Sequence, residues 1–316
     1  MAEIPAIDRK VVDVLGLGVT TVDDLVYVDS YPRADSKVVI LREERRCGGL
    51  TATALVAAAR LGARCAYAGV LGFDERSMYV RARLAEEGID LTPLVLDARA
   101  RPVHATIVVD VSGGTRTILH DDGVAGGAPA AGPDPALVRA SRVLLVDPYG
   151  VPGMTRAAGL ARDAGIPVVG DFESLRDPAQ TVLIELTDHL IVSRDFALRL
   201  TGTSSPREAA AALCAPGRAV VVVTCGAEGS WHVAAAAPDR PVHVPTYAVE
   251  VADTTGCGDV FHGAYAAALA RDLPLVERIR FASAAAALKA TRHGGQAGIP
   301  SLHAVEAFIA ALARQS

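Results

Sequence analysis

RVLLVD at 142–147, IPVVGDF at 166–172, HLIVS at 189–193 and AVVVVT at 219–224 set the architecture of this chain. Each run is short, rich in β-branched residues and apolar almost throughout. A strand with one wet face alternates apolar and polar residues, whereas continuous apolarity marks a strand covered on both faces. Working outward, the rhythm recurs upstream. VVDVLGLG (11–18) reads as a strand, TATALVAAARLG (51–62) as a helix ending at Gly62, CAYAGVL (65–71) as a strand and ERSMYVRARLAEEG (75–88) as a helix stopped by Gly88. Downstream the chain turns helical, over 258–271, 275–290 and 302–314. The alternation predicts an α/β fold with a doubly wound, mostly parallel sheet.

Two stretches break the rhythm. Residues 24–42 and 102–120 read as hairpins, the second turning at Ser112-Gly113-Gly114, and neither carries a crossover helix. They predict a small β-sheet lid inserted into a single domain spanning 1–316. AGGAPAAGPDP (125–135) reads as a solvent-exposed loop and Asp121-Asp122-Gly123 as a turn. No internal repeat of fixed period is found.

Composition narrows the function. Across 316 residues, 51% are hydrophobic and 21% charged, which excludes a disordered or collagen-like chain. The net charge of -5 and the lack of any Lys/Arg-rich run argue against nucleic acid as a partner. The N-terminal MAEIPAIDRK lacks the basic-then-apolar order of a signal peptide, and no apolar window is long enough for a membrane span, so a cytoplasmic protein is expected. The five cysteines are scattered without a C-x-x-C pair, which gives neither a metal cage nor a disulfide framework.

The chemistry concentrates in Asp253-Thr-Thr-Gly-Cys-Gly-Asp259. Gly256 and Gly258 let the backbone turn tightly and present its N–H groups. A helix starts there, and its N-terminal dipole adds to an anion site. Asp259 falls in that first turn. A carboxylate beside an anion hole can take the proton of a hydroxyl as its oxygen attacks phosphorus. A capping Asp253 and an ordinary first-turn acid would be the plainer reading, but two acids, two threonines and two glycines bracket one helix start. Gly16-x-Gly18 fails as a dinucleotide fingerprint because Thr21 stands at the third glycine, and no G-x-x-x-x-G-K-[ST] loop occurs.

These residues resemble the C-terminal signature of the ribokinase/PfkB carbohydrate kinases, D-T-x-G-A-G-D, with Cys257 replacing its alanine. Cys47-Gly48-Gly49-Leu-Thr-Ala-Thr53 resembles the N-terminal signature, and the likeness extends over nearly the whole chain. It implies an ATP-dependent phosphotransferase acting on a primary hydroxyl of a ketose or furanose-type sugar, with Asp259 as catalytic base and Gly256, Cys257 and Gly258 as the anion hole. It further implies sugar contacts at Asp23, Gly48, Gly49 and Thr53, and a nucleotide loop at Thr224, Gly226 and Gly229. Mg2+ would accompany ATP, and Asp253 would help hold a monovalent cation such as K+. The family's Asn-x-x-Glu motif is absent, since Ser193-Arg-Asp195-Phe196 stands in its place, leaving Asp195 as a partial substitute.

Tyr31-Pro-Arg-Ala-Asp35-Ser36, Thr115-Arg116-Thr117-Ile118 and Val192-Ser193-Arg194-Asp195 are similar to ketohexokinase segments, which makes Arg116 a candidate for stabilising the transferred phosphoryl. The sugar-binding asparagines of ketohexokinases are replaced by Leu50 and Thr53. Residues 281–300 resemble bacterial sulfofructose kinases, so a modified ketose is a further candidate. Competing readings are a kinase for a nucleoside, a keto-deoxy acid or a pyrimidine alcohol, and a non-catalytic sugar- or nucleotide-binding regulator. His262 reads as a packed or rim histidine rather than a second base. Cys257 sits at a helix N-terminus, where a thiol pKa can fall. A lid of two hairpins offers a face for a second copy, so a homodimer through the lid is expected.

Overall fold

The computed structural model describes residues 11–121, 126–175 and 177–314. The reading of the N-terminal segment at 1–10 and most of the expected Asp121-Asp122-Gly123 turn lie outside them. In chain order, β1 (Val12–Leu17) leads to β2 (Thr21–Val28), β3 (Ile40–Gly48) and α1 (Leu50–Arg60). β4 (Cys65–Tyr67), β5 (Val70–Leu71), α2 (Glu75–Glu86), β6 (Val95–Leu96), β7 (Val103–Asp110) and β8 (Thr115–Asp121) follow. The middle of the chain runs α3 (Pro135–Arg139), β9 (Ser141–Val146), α4 (Val151–Asp163), β10 (Val168–Phe172), α5 (Gln180–Glu185) and β11 (His189–Ser193). It continues with α6 (Arg194–Thr201), α7 (Pro206–Ala212), β12 (Val220–Thr224), β13 (Ser230–Ala234) and β14 (Val242–Val244). Three helices close it: α8 (Cys257–Ala270), α9 (Leu275–Ala290) and α10 (Leu302–Ala313).

The expected sheet is present. Eight strands are ordered β14-β13-β12-β11-β10-β9-β1-β4, parallel from β12 through β4, with β13 and β14 antiparallel at one edge. The apolar runs occupy its center because both faces are covered. Val143, Leu145, Val169 and Ile191 pack toward α1, α8 and α9, while Leu144, Val146, Val168 and Leu190 pack toward α4 and α6. Since β1, β9, β10, β11 and β12 run parallel, their C-terminal ends share one edge, where open α/β sheets bind ligands.

The lid is a separate four-stranded sheet, ordered β3-β2-β7-β8. Its first hairpin differs from the 24–42 reading, because its strands are Thr21–Val28 and Ile40–Gly48, paired antiparallel. β3 carries the charge run ILREERRCG and is exposed along most of its length, so no apolar alternation marked it. In the second hairpin β7 and β8 are paired antiparallel around the turn before Thr115. CAYAGVL is interrupted at Ala68-Gly69, and its second half pairs with β6 in a small two-stranded sheet. The described part of the expected 125–135 loop, residues 126–135, is also more buried than expected: Ala128 joins the core beside Val138 and Met154, and Pro135 opens α3.

Candidate active site

The Asp259 carboxylate stands between two cavities. The larger, about 1070 Å³, lies under the lid and is lined by Asp23, Arg46, Gly48, Gly49, Thr53, Arg116, Asp253, Gly256 and Asp259, among others. The smaller, about 390 Å³, is lined by Thr21, Gly49, Glu173, Thr254, Gly256, Gly258 and Asp259. The structure thus gathers the residues expected from sequence to contact the sugar around one space, with Asp259, the expected base, at its boundary with a second.

Each position has a local cause. Gly256 is the N-cap of α8 with φ 77°, a left-handed conformation that a side chain rarely adopts. With Gly256 in that turn, the Cys257 N–H donates to the Thr254 carbonyl (3.1 Å), and the N–H groups of Gly258 and Asp259 have no intrahelical partners. Gly258 is exposed, and nothing stands within 4 Å of where its Cβ would be, so a ligand can approach its backbone. Gly49, with φ 103°, caps α1, and a Cβ there would lie 2.5 Å from the Val19 carbonyl oxygen. That close approach ties the double glycine to the loop after β1. Asp23 projects from β2 and Arg116 from β8, both into the larger cavity. Thr53 is buried in α1, where its hydroxyl lies 3.5 Å from the Gln296 amide nitrogen.

Beneath the first turn of α8 lies a set of acids that sequence reading passed over. Asp147, at the end of β9, is fully buried, and its carboxylate accepts from the Val19 N–H (2.7 Å), the Thr51 hydroxyl (2.8 Å) and the Tyr149 N–H (2.9 Å). Burial pushes it up to about 6 despite those bonds. Asp171, in β10, is 4% exposed, and its Oδ2 has no hydrogen-bond partner among the described residues. Burial, then Glu173 and Asp147, raises its pKa well above the carboxylate range. Asp259 is raised as well, first by burial and next by Asp171 and Glu173, with His262 opposing. A base with a raised pKa is a stronger proton acceptor than a surface aspartate. RVLLVD and IPVVGDF each carry an acid near their end, a pattern that an exposed turn acid gives equally; burying one costs several kcal/mol unless it is hydrogen-bonded or paired.

His262 is the packed histidine that was expected. Its Nδ1 is 2.8 Å from the Gly258 carbonyl oxygen and its Nε2 3.0 Å from that of Ile191, with Asp171 Oδ2 3.2 Å away. Cys257 does not have a lowered thiol pKa; burial raises it, and its Sγ points at the Ala286 carbonyl oxygen, 3.6 Å away.

The loop expected from sequence to bind nucleotide stands apart from both cavities. Thr224 ends β12 and its hydroxyl donates to the Val192 carbonyl (3.3 Å), while Gly226 and Gly229 flank a short 3-10 turn. These residues lie on the ligand edge of the sheet without lining either cavity. Asp195 is no substitute for a missing magnesium support, because its side chain is 80% exposed and it sits beside Arg194, which pairs with Glu228. Among the described residues, no group of three or more His, Cys, Asp or Glu could cage a metal. Glu173, in the smaller cavity, supplies the hard carboxylate oxygens that Mg2+ takes; its remaining ligands would be phosphate and water.

The Asp253 oxygens expected to help hold a monovalent cation are each already engaged. Asp253 Oδ1 accepts from the Thr255 N–H (2.9 Å), its Oδ2 from the Gly294 N–H (2.8 Å), and its carbonyl oxygen from the Lys289 ammonium (2.8 Å). Burial would raise this carboxyl, but those N–H groups and Lys289 bring it down to about 2.

A parallel sheet with a β-lid, closing a cavity over a helix N-terminus that carries an acid, defines a ribokinase-like small-molecule kinase. Residues 6–302 match the pfkB family of carbohydrate kinases. The chain is 29% identical to the ribokinase of Haemophilus influenzae over 93% of its own length and 96% of that protein's. It is 30% identical to fructokinase-1 of Oryza sativa subsp. japonica, over 81% and 84% of the two lengths. It also matches the bifunctional ribokinase/ribose-5-phosphate isomerase A of Fructilactobacillus sanfranciscensis at 26% identity, covering 92% of this chain but 55% of that longer one. The structure of Arabidopsis thaliana ribokinase complexed with ribose and ATP superimposes with a TM-score of 0.84 at 23% identity, over 94% and 98% of the two chains. The chain belongs to the pfkB family and is an ATP-dependent carbohydrate kinase. No helix among the described residues is long and apolar enough to cross a membrane.

Proposed function

We propose that the enzyme phosphorylates a primary hydroxyl of a ketose or furanose-type sugar from ATP, with Asp259 as general base. The observation that carries this reading is the shared wall of the two cavities: Gly49, Gly256 and Asp259 line both. A sugar in the larger cavity, held by Asp23 and the Gly48-Gly49 backbone, would bring its hydroxyl to Asp259. The γ-phosphoryl would enter from the smaller one. Asp259 accepts the hydroxyl proton as the oxygen attacks phosphorus and ADP leaves, and the amides of Gly256 and Gly258 hold the charge that gathers on the phosphoryl oxygens, the Cys257 N–H being engaged by the Thr254 carbonyl. Arg116 adds a cation from the lid, and closure of the lid excludes the water that competes as acceptor. Mg2+, when bound with ATP, neutralises phosphate charge, and Glu173 would face it.

The named relatives act on different sugars, ribose and fructose, so the acceptor is a matter for experiment. Mg·ATP consumption across ribose, fructose, sulfonated and phosphorylated ketoses, keto-deoxy acids and nucleosides tests the reading. A sugar turned over well above the others is expected; turnover of nucleosides alone would transfer the reading to its nucleoside alternative, and no turnover with any acceptor would favour the non-catalytic regulator. The lid carries exposed Val39, Ile40 and Leu119, which supports a homodimer through the lid. A monomeric mass by light scattering would remove that part.

A further inference from the structure

Lys289, in the last turn of α9, has none of its surface exposed to solvent. A fully buried lysine is rare without an anionic partner. Its one hydrogen bond among the described residues goes to the Asp253 carbonyl oxygen, at 2.8 Å, and the carboxylate of the same residue is its anionic neighbour. The surroundings show what that ammonium holds. The Ala252 and Asp253 N–H groups both donate to the Ala290 carbonyl, one residue beyond Lys289, and the Gly294 N–H donates to the Asp253 carboxylate. The Cys257 thiol reaches the Ala286 carbonyl one turn earlier on α9. The end of α9 therefore grips 252–257, the segment that shapes the anion hole, and the ammonium sits on its inner side.

A K+ ion at Asp253 would have to coordinate oxygens that each already accept a hydrogen bond, beside a like charge. We infer that Lys289 is a built-in counter-cation: its tethered ammonium takes the place of a monovalent ion beneath the Asp253–Gly258 turn. The turn is then preorganised for an anionic ligand without K+. This rests on reading Gly256–Gly258 as the anion hole, and makes Lys289 a positioning residue that acts through the Asp253 carbonyl and never touches the substrate.

The test compares wild type with Lys289→Met and Lys289→Arg in KCl, ammonium chloride, methylammonium chloride or tetramethylammonium chloride at one ionic strength. Thermal midpoint and calorimetric Mg·ATP affinity are both measured. Wild type should show the same midpoint and affinity in all four salts. Lys289→Met should bind Mg·ATP about tenfold more weakly in tetramethylammonium, the scale of one lost charge-assisted hydrogen bond. K+, ammonium or methylammonium should restore most of that loss, and Lys289→Arg should keep most of it without rescue. A wild-type midpoint or affinity that rises specifically with K+ would overturn the inference. So would a Lys289→Met defect that no small cation relieves, since packing alone would then explain the residue. If Lys289→Met does not fold, the wild-type salt series still decides. Failure of wild type to bind Mg·ATP in any salt would count against the kinase reading instead, while the midpoints continue to report on Lys289.

Discussion

The floor and the roof of the larger cavity are built by opposite means. The floor is the first turn of α8, wedged against strand ends whose acids are sealed from water: Asp147 is 0% and Asp171 4% exposed. The roof is a thin sheet in which β8 is exposed along most of its length and the β3 arginines pair with neighbouring acids, Arg46 with Glu44 at 2.5 Å and Arg45 with Asp24 at 2.6 Å. Proton transfer tolerates little positional error, and the proposed base, Asp259, sits on a packed helix with its pKa raised by burial. Sugar selection needs a surface that can close and can vary, which an exposed sheet provides. Fixed chemistry below and adaptable recognition above is the division of labor this contrast suggests.

That contrast can be broken from either side. On the roof, Arg116→Met should lower kcat by about a hundredfold with little change in KM, as expected for a cation acting on transition-state charge; an unchanged kcat would reduce Arg116 to a solvated lid residue. Asp23→Ala should raise the sugar KM roughly tenfold and spare kcat, the mark of a contact that binds ground and transition states alike. On the floor, Asp147→Asn removes acceptor capacity from three buried donors and should cost about 1–3 kcal/mol by thermal or urea unfolding.

The Asp147 deficit should also depend on pH. The folded-state pKa is raised to about 6, so the native protein binds more protons than the unfolded chain between the ordinary aspartate value and 6. Stability contributed by Asp147 therefore falls as pH rises through that window, and the gap between wild type and Asp147→Asn should narrow with it. A gap that widens would contradict the assignment. The smallest effect belongs to Cys257→Ala, which keeps the backbone amide and loses a thiol that burial holds protonated. Activity within about twofold of wild type is expected, together with resistance of the wild type to thiol-alkylating inactivation.

Legibility in the sequence followed the same division. The central strands were readable because burial on both faces leaves an unbroken apolar run, and the helix start at Gly256 because glycines and acids punctuate it. The β3 strand was hidden by its exposure: ILREERRCG shows no alternation when most of its side chains reach solvent. Asp147 and Asp171 were read as strand ends, since no local pattern tells a buried acid from a turn acid; only the packing of Val19, Thr51 and Tyr149 around Asp147 does so. Lys289 was legible even less, because ALKATRHGG reads as a helix with an ordinary basic last turn. Its burial comes from the 252–257 segment folding over it, a contact between parts of the chain about 35 residues apart.

Asp259→Asn is the variant that bears most directly on this account. Phosphorylation of the accepted sugar and Mg·ATP affinity should be measured on the same preparation. Loss of kcat by at least about a thousandfold, with ATP affinity within a few-fold of wild type, is the expected result for a general base that also lines the phosphate cavity. Equal rates for wild type and Asp259→Asn on the true acceptor would contradict it, and the proton would have to leave by another route.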